Sequence, residues 1–157
     1  MGASRVGETG YQPVMPSVSR TFAVTPSPAT VIEYLKDFGN AEQWDPGTQT
    51  CTREDSGPVK EGSSWHNVSK IVGVDAELTY TLDTLGDDTL VFVGRNESST
   101  STDTITVEPH DGGSVITYRA DLEMHGLAKV LSPAMKLVFE KLANDTEKQM
   151  TEVLNAL

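Results

Sequence analysis

GLAKVLSPAMKLVFEKLANDTEKQMTEVLNAL, residues 126–157, is the stretch that decides the fold. It contains one proline, Pro133, and places apolar side chains at Leu127, Leu131, Met135, Val138, Leu142, Met150 and Leu154. The steps are mostly of three or four residues, with a gap around Asp145 and Thr146, and they mark one face of a helix. Upstream, residues 48–124 read instead as short strands separated by Gly, Asp and Pro. A curved antiparallel sheet covered by one long helix encloses a cavity, so the layout predicts an α+β protein that holds a small molecule.

Working back from the helix, residues 115–124 alternate cleanly, with Ile116, Tyr118, Ala120 and Leu122 opposite Thr117, Arg119, Asp121 and Glu123. Residues 74–85 do the same, placing Ala76, Leu78, Tyr80 and Leu82 on one face. Both read as half-buried antiparallel strands. Between them, residues 89–94, around Phe92, are apolar enough for a central strand. The Ser/Thr run at 98–104 suits an exposed strand face and leads into Ile105 and Val107. Turns fall at Gly86-Asp87-Asp88 and Pro109-His110-Asp111-Gly112-Gly113. Earlier strands are predicted at 17–24, 48–54 and 63–72. After the first of these, Ser27 is a good N-cap with Pro28 in the first helical position, for a helix over residues 28–38. A second helical turn over 41–44 precedes the Asp45-Pro46-Gly47 turn. Twenty-five residues from Pro133 to the end span about 37 Å at ~1.5 Å per residue, enough to cover a small sheet.

Composition narrows the function. With 157 residues, the chain fits a single domain spanning 17–157, preceded by a flexible leader over 1–16 that is rich in Gly and Pro. The net charge is −11, from 23 acidic and 12 basic residues, and such a surface repels phosphate backbones and anionic lipid. Nucleic acid and stable membrane insertion are therefore not expected. Cys51 is the single cysteine, so a disulfide within the chain is excluded. No apolar h-region and no run of about 18 apolar residues is present, and the expectation is a cytoplasmic protein, monomeric or homodimeric. The histidines lack metal-ligand spacing, and no HExxH, P-loop, GxGxxG or GxSxG appears, so no metal and no cofactor are expected.

A resemblance sharpens this reading. Its residues are Ser19-Arg20-Thr21-Phe22, Asn40-Ala41-Glu42-Gln43-Trp44-Asp45-Pro46, Glu77-Leu78-Thr79-Tyr80, and Thr104-Ile105-Thr106-Val107-Glu108-Pro109. Gly113-Ser114-Val115-Ile116-Thr117-Tyr118 and Leu127-Ala128-Lys129-Val130-Leu131-Ser132-Pro133-Ala134-Met135 complete it. On these the chain resembles the START-like (SRPBCC) superfamily, and within it the polyketide cyclase/dehydrase-type branch found widely in actinobacteria. The likeness covers roughly residues 18–157. It implies a helix-grip fold, in which a seven-stranded sheet holds the terminal helix around an apolar tunnel. Family members include lipid carriers, hormone receptors and aromatase/cyclases.

The expected cavity residues are Trp44, Trp65, Leu78, Tyr80, Phe92, Tyr118, Met135, Phe139 and Leu142. Trp44 has two readings, a core anchor at the junction of helix and strand or a lid at the cavity mouth. Trp65 and His66 are neighbours on a strand and point to opposite faces, and hydrophobicity favours Trp65 inward. Tyr80 and Tyr118 lie on apolar strand faces, where a buried phenol needs a hydrogen-bond partner. In a cyclase they would be the proton donors. Arg119 is expected outside, balancing Asp121 and Glu123, whereas the register of Arg95 is open. Cys51 reads as a small buried hydrophobe. Three functions follow: a binder of a hydrophobic small molecule such as a lipid or polyketide-like aromatic, a cofactor-free cyclase or dehydratase, or an interaction module with a vestigial cavity.

Overall fold

The computed structural model describes residues 17–71, 73–125 and 133–157. The expected leader, and Leu127 and Leu131 of the helical stripe, lie outside the described residues. The chain opens with β1 (Ser17–Val24), α1 (Pro28–Leu35), a 3₁₀ turn (Phe38–Asn40) and α2 (Ala41–Trp44). Then come β2 (Thr48–Arg53), β3 (Ser64–Ile71), β4 (Val74–Leu85), β5 (Thr89–Arg95), β6 (Ser99–His110) and β7 (Gly113–Met124). The described part of the chain ends in α3 (Pro133–Asn155).

All seven strands form one antiparallel sheet in the order β1-β7-β6-β5-β4-β3-β2. Strands β2 to β7 are a meander, and β1 adds to its far edge, so α1 and α2 carry the chain from one sheet edge to the other. Register shifts at Leu82/Thr84 and Thr48/Thr50 bend the sheet as bulges do. The β6–β7 hairpin turns on two residues, Asp111 and Gly112, both at positive φ (+46° and +79°). That left-handed pair matches the twist of the flanking strands and explains Asp-Gly here.

The first helix stops at Leu35, earlier than the predicted residue 38, because Asp37 starts a new turn. Its Oδ1 accepts from the Gly39 N–H at 3.0 Å, and the resulting 3₁₀ turn swings Phe38 into the interior. At its start α1 is as read, with the Ser27 hydroxyl accepting from the Thr30 N–H at 3.4 Å.

The terminal helix covers 23 residues, or about 35 Å at ~1.5 Å per residue. It packs on β1 and α2. Polar ties fix its seat. Asn155 Oδ1 accepts from the Thr25 N–H at 2.8 Å, Gln149 Nε2 donates to the Gln43 carbonyl at 2.8 Å, and Arg20 of β1 pairs with Glu140 at 2.6 Å. The gap in the apolar stripe is filled by Thr146, which is buried because its hydroxyl donates back to the Leu142 carbonyl at 2.8 Å. This is the helix-grip architecture, a curved seven-stranded sheet around one long helix.

The interior is divided lengthwise. At one end the sheet and the C-terminal half of α3 close on a packed core of Leu82, Leu90, Ile105, Ile116, Met150 and Leu154, all without solvent exposure. Phe38 is its hub. The Phe38 ring centroid lies 4.4 Å from that of Tyr80 and 4.5 Å from that of Phe92, and Trp44 and Trp65 meet it edge-on at 5.9 and 6.2 Å. At the other end the N-terminal half of α3 is tied to β1 by Arg20 and leaves space over the strands beyond it.

Candidate ligand cavity

Between that half of α3 and the sheet lies a cavity of about 460 Å³. Its place follows from strand alternation. Inward residues near one end of each strand belong to the core, and those two to eight positions away along the strand belong to the cavity. On β4 the core takes Leu82 and the cavity takes Ala76, Leu78 and Tyr80. On β7 the core takes Ile116, and the cavity takes Tyr118, Ala120, Leu122 and Met124. The helix divides the same way, with Met135, Phe139, Leu142, Ala143 and Thr146 over the cavity and Met150 and Leu154 in the core.

The cavity walls are mostly apolar, with Ser69, Ser99 and Thr146 among them, and the two carboxyl groups and two phenols gather where it meets the core. That inner end is made by Tyr80, Ser101, Asp103, Tyr118 and Asp45. Asp103 is buried at 5% exposure. One of its oxygens accepts from the Tyr118 hydroxyl at 3.3 Å and the other from the Ser101 hydroxyl at 3.3 Å. Burial, reinforced by the negative charge of Asp45, pushes the Asp103 carboxyl up to about 7. Asp45 sits in the turn between α2 and β2, where it accepts from the Gly47 N–H at 3.0 Å and the Thr48 hydroxyl at 2.8 Å. Burial raises its carboxyl as well, and those two hydrogen bonds oppose the rise. Both phenols are pushed well above their ordinary range, first by burial and then by the Asp103 charge. At neutral pH they are hydrogen-bond donors and not bases.

Six of the nine expected residues line this cavity: Leu78, Tyr80, Tyr118, Met135, Phe139 and Leu142. Trp44, Trp65 and Phe92 do not, and this corrects the expectation for those three. All are fully buried around Phe38, which fills the end of the sheet they reach. Trp65 is held there by its indole N–H, which donates to Asp37 Oδ1 at 3.2 Å. Trp44 takes the anchor reading. Its ring stands edge-on to Tyr118 at 5.9 Å, behind the polar end, and its Nε1 finds no acceptor among the described residues.

Asp103 and Asp45 were not legible as site residues by type, yet a positional signal existed for Asp103. Ile105 and Val107 point inward, so the even spacing back along β6 brings Asp103, Ser101 and Ser99 to the same face. The threonines at 100, 102 and 104 occupy the other face, and the exposed-face reading of that run holds only for them.

The remaining candidates lie outside the cavity. Arg119 is exposed and pairs with Asp121 at 3.0 Å. Arg95 is exposed at the end of β5. His66 faces outward between Glu54 and Glu77 at 3.8 and 3.9 Å, and His125 Nε2 lies 3.0 Å from the Thr100 hydroxyl. No grouping of His, Cys, Asp and Glu among the described residues could hold a metal ion.

Several solved structures share this architecture. A START superfamily protein from Mycobacterium smegmatis superposes with a TM-score of 0.73 at 14% identity, covering 89% of this chain and 97% of its own. The Zhui aromatase/cyclase from Streptomyces sp. R1128 gives 0.69 at 13% identity, covering 90% and 92%. Major latex-like protein 151 from Panax ginseng gives 0.68 at 12% identity, covering 89% and 97%. At these identities the likeness is one of fold. No curated protein sequence matches the chain. Residues 15–156, almost the whole chain, match the family described as "Polyketide cyclase / dehydrase and lipid transport", and the chain belongs to that family.

Proposed function

We propose that the protein binds a hydrophobic small molecule, such as a lipid or a polyketide-like aromatic, and carries or sequesters it. The observation that carries this reading is the cavity itself. Its volume of about 460 Å³ falls within the roughly 300–1,000 Å³ of small-molecule sites, and its walls are mostly apolar with a few convergent polar groups. The family description, which joins cyclase and dehydrase with lipid transport, supports the same class. The test is mass spectrometry of gently purified protein, intact and then denatured. Release of a defined apolar species is expected. An empty protein that also fails to take up fatty acids and aromatic polyketides would overturn the reading.

One observation favours a second reading, a cofactor-free cyclase or dehydratase. A group titrating near neutrality is suited to give and take a proton, and Asp103 is such a group on the cavity wall. The acid-base role would pass from the tyrosines to Asp103, with Tyr118 orienting it. Asp103→Asn would then bind ligand without turnover, and unchanged turnover would remove this reading.

The same proposal takes residues 17–157 as the binding unit of a cytoplasmic protein of the actinobacterial branch, monomeric or homodimeric. No described helix is long and apolar enough to cross a membrane. The acidic net charge argues against nucleic-acid partners.

A further inference from the structure

We infer that the cavity selects ligands whose buried end is a protonated amine, an ammonium carried on an apolar body. The inference rests on the cavity being a ligand site and names the chemistry of what fills it. The polar end presents two carboxylates, Asp45 and Asp103, together with the hydroxyls of Tyr80, Tyr118 and Ser101. No Lys, Arg or His lines the cavity among the described residues. The nearest cation by topology is Arg20, whose strand neighbour across β1–β7 is Tyr118. Its guanidinium is already committed, to Glu140 at 2.6 Å, Asn144 at 3.0 Å and the Ser19 carbonyl at 2.8 Å.

A carboxylate removed from water is costly unless a charge or several donors answer it. Asp103 has two long hydrogen bonds at 3.3 Å, which leaves part of the roughly four acceptor positions of a carboxylate open toward the cavity. A ligand carboxylate would bring a third negative charge into this end and find no partner cation. A ligand hydroxyl would supply one donor and leave the charge unbalanced. An ammonium supplies up to three donors and the missing positive charge together. None of the titratable groups around Asp103 is a cation: the charges of Asp45, from the turn before β2, and of the more distant Asp121 raise its carboxyl, the Tyr118 hydroxyl of β7 lowers it by donating a hydrogen bond, and Tyr80 of β4 is a neutral phenol. From α3 the cavity receives only Met135, Phe139, Leu142, Ala143 and Thr146, none of them charged.

The experiment is isothermal titration of the full chain with three ligands that share one aromatic body: 1-naphthylmethylamine, 1-naphthylmethanol and 1-naphthoic acid. At about pH 8, the amine is expected to bind about tenfold or more tightly than the alcohol, with the acid weakest. Asp103→Asn should bring the amine level with the alcohol. Should that variant fail to fold, the wild-type pH profile serves instead. Amine affinity should rise between about pH 6 and pH 8, as Asp103 loses its proton, while the alcohol's stays flat. Equal binding of amine and alcohol, or tightest binding of the acid, would overturn the ammonium inference and leave the cavity reading intact. Binding of none of the three, in a protein that also releases no apolar species, would overturn both.

Discussion

Tyr80 on β4 and Gly94 on β5 are cross-strand partners, and the phenol ring lies over the glycine so closely that a Cβ there would come within 2.6 Å of the ring's Cζ. The ring also touches Phe38, so it is wedged between the core hub and the neighbouring strand. Gly94→Ala should therefore push Tyr80 out of place and toward the cavity. Overpacking of this kind costs roughly 1–3 kcal/mol. Thermal unfolding and apolar-ligand titration of the variant should both show a loss. Unchanged values in both would mean that Tyr80 does not depend on the glycine.

Asp103 should make stability fall with rising pH. Its carboxyl is raised to about 7 in the fold, from about 3.9 in an unfolded chain. Between those values the folded state binds more protons than the unfolded state, so the stabilising proton is lost as pH climbs through the window. Asp103→Asn keeps an acceptor for Tyr118 and removes the titration. At about pH 8, the variant should be more stable than wild type by on the order of 3 kcal/mol, and the difference should vanish near pH 4. A pH-independent difference between the two unfolding curves would contradict the assignment.

Leu142 and Met150 lie on the same helix, and the division between cavity and core separates their fates. Met150 has no exposure, so Met150→Ala should cost about 2–5 kcal/mol. Leu142 is half-buried on the cavity wall, where truncation removes fewer contacts and enlarges existing space. Leu142→Ala should cost less than half as much and alter ligand affinity instead. Equal destabilisation by the two substitutions, measured by denaturant unfolding, would place Leu142 in the core.

Period-two alternation made the strands and their inward faces readable, and this is why β4 and β7 begin and end close to where the sequence marks them. It assigns a face but not a depth. Leu78 and Tyr80 share their face with Leu82, and only the position of Phe38 decides that the first two line a cavity while the third is core. Trp65 and Phe92 fell on the wrong side of that boundary for the same reason. A large inward aromatic reads alike in either place, and the plug that fixes the boundary comes from a 3₁₀ turn started by one hydrogen bond, donated by the Gly39 N–H to the Asp37 side chain. Asp103 escaped notice because its residue type argued for solvent while its register argued for the interior. For a polar residue between inward-facing apolar ones on a strand, the register is the better guide.

The Arg20–Glu140 pair ties β1 to α3, but its strength should be modest. Glu140 is 54% exposed, and ion pairs open to water contribute about 1 kcal/mol or less. Arg20 adds a hydrogen bond to Asn144 at 3.0 Å, so a double-mutant cycle with Glu140→Gln should give a coupling near that limit, weakened by added salt. A salt-independent coupling of several kcal/mol would show that the pair is shielded from solvent.

Cys51 should be inert in the folded protein. It lies at 6% exposure on β2, and burial, opposed by a hydrogen bond with Asn67 and reinforced by Glu42, pushes its thiol up to about 12. The thiolate is the reactive form, so at about pH 8 almost none is present and what forms is covered. Iodoacetamide should leave the native chain unlabelled and modify it fully in denaturant. Rapid labelling of native protein, with the fold confirmed by circular dichroism, would mean that β2 opens at the sheet edge on the timescale of the reaction. The rate would then report that local opening, because global unfolding would also release the amides of β5 at the sheet's centre to hydrogen exchange.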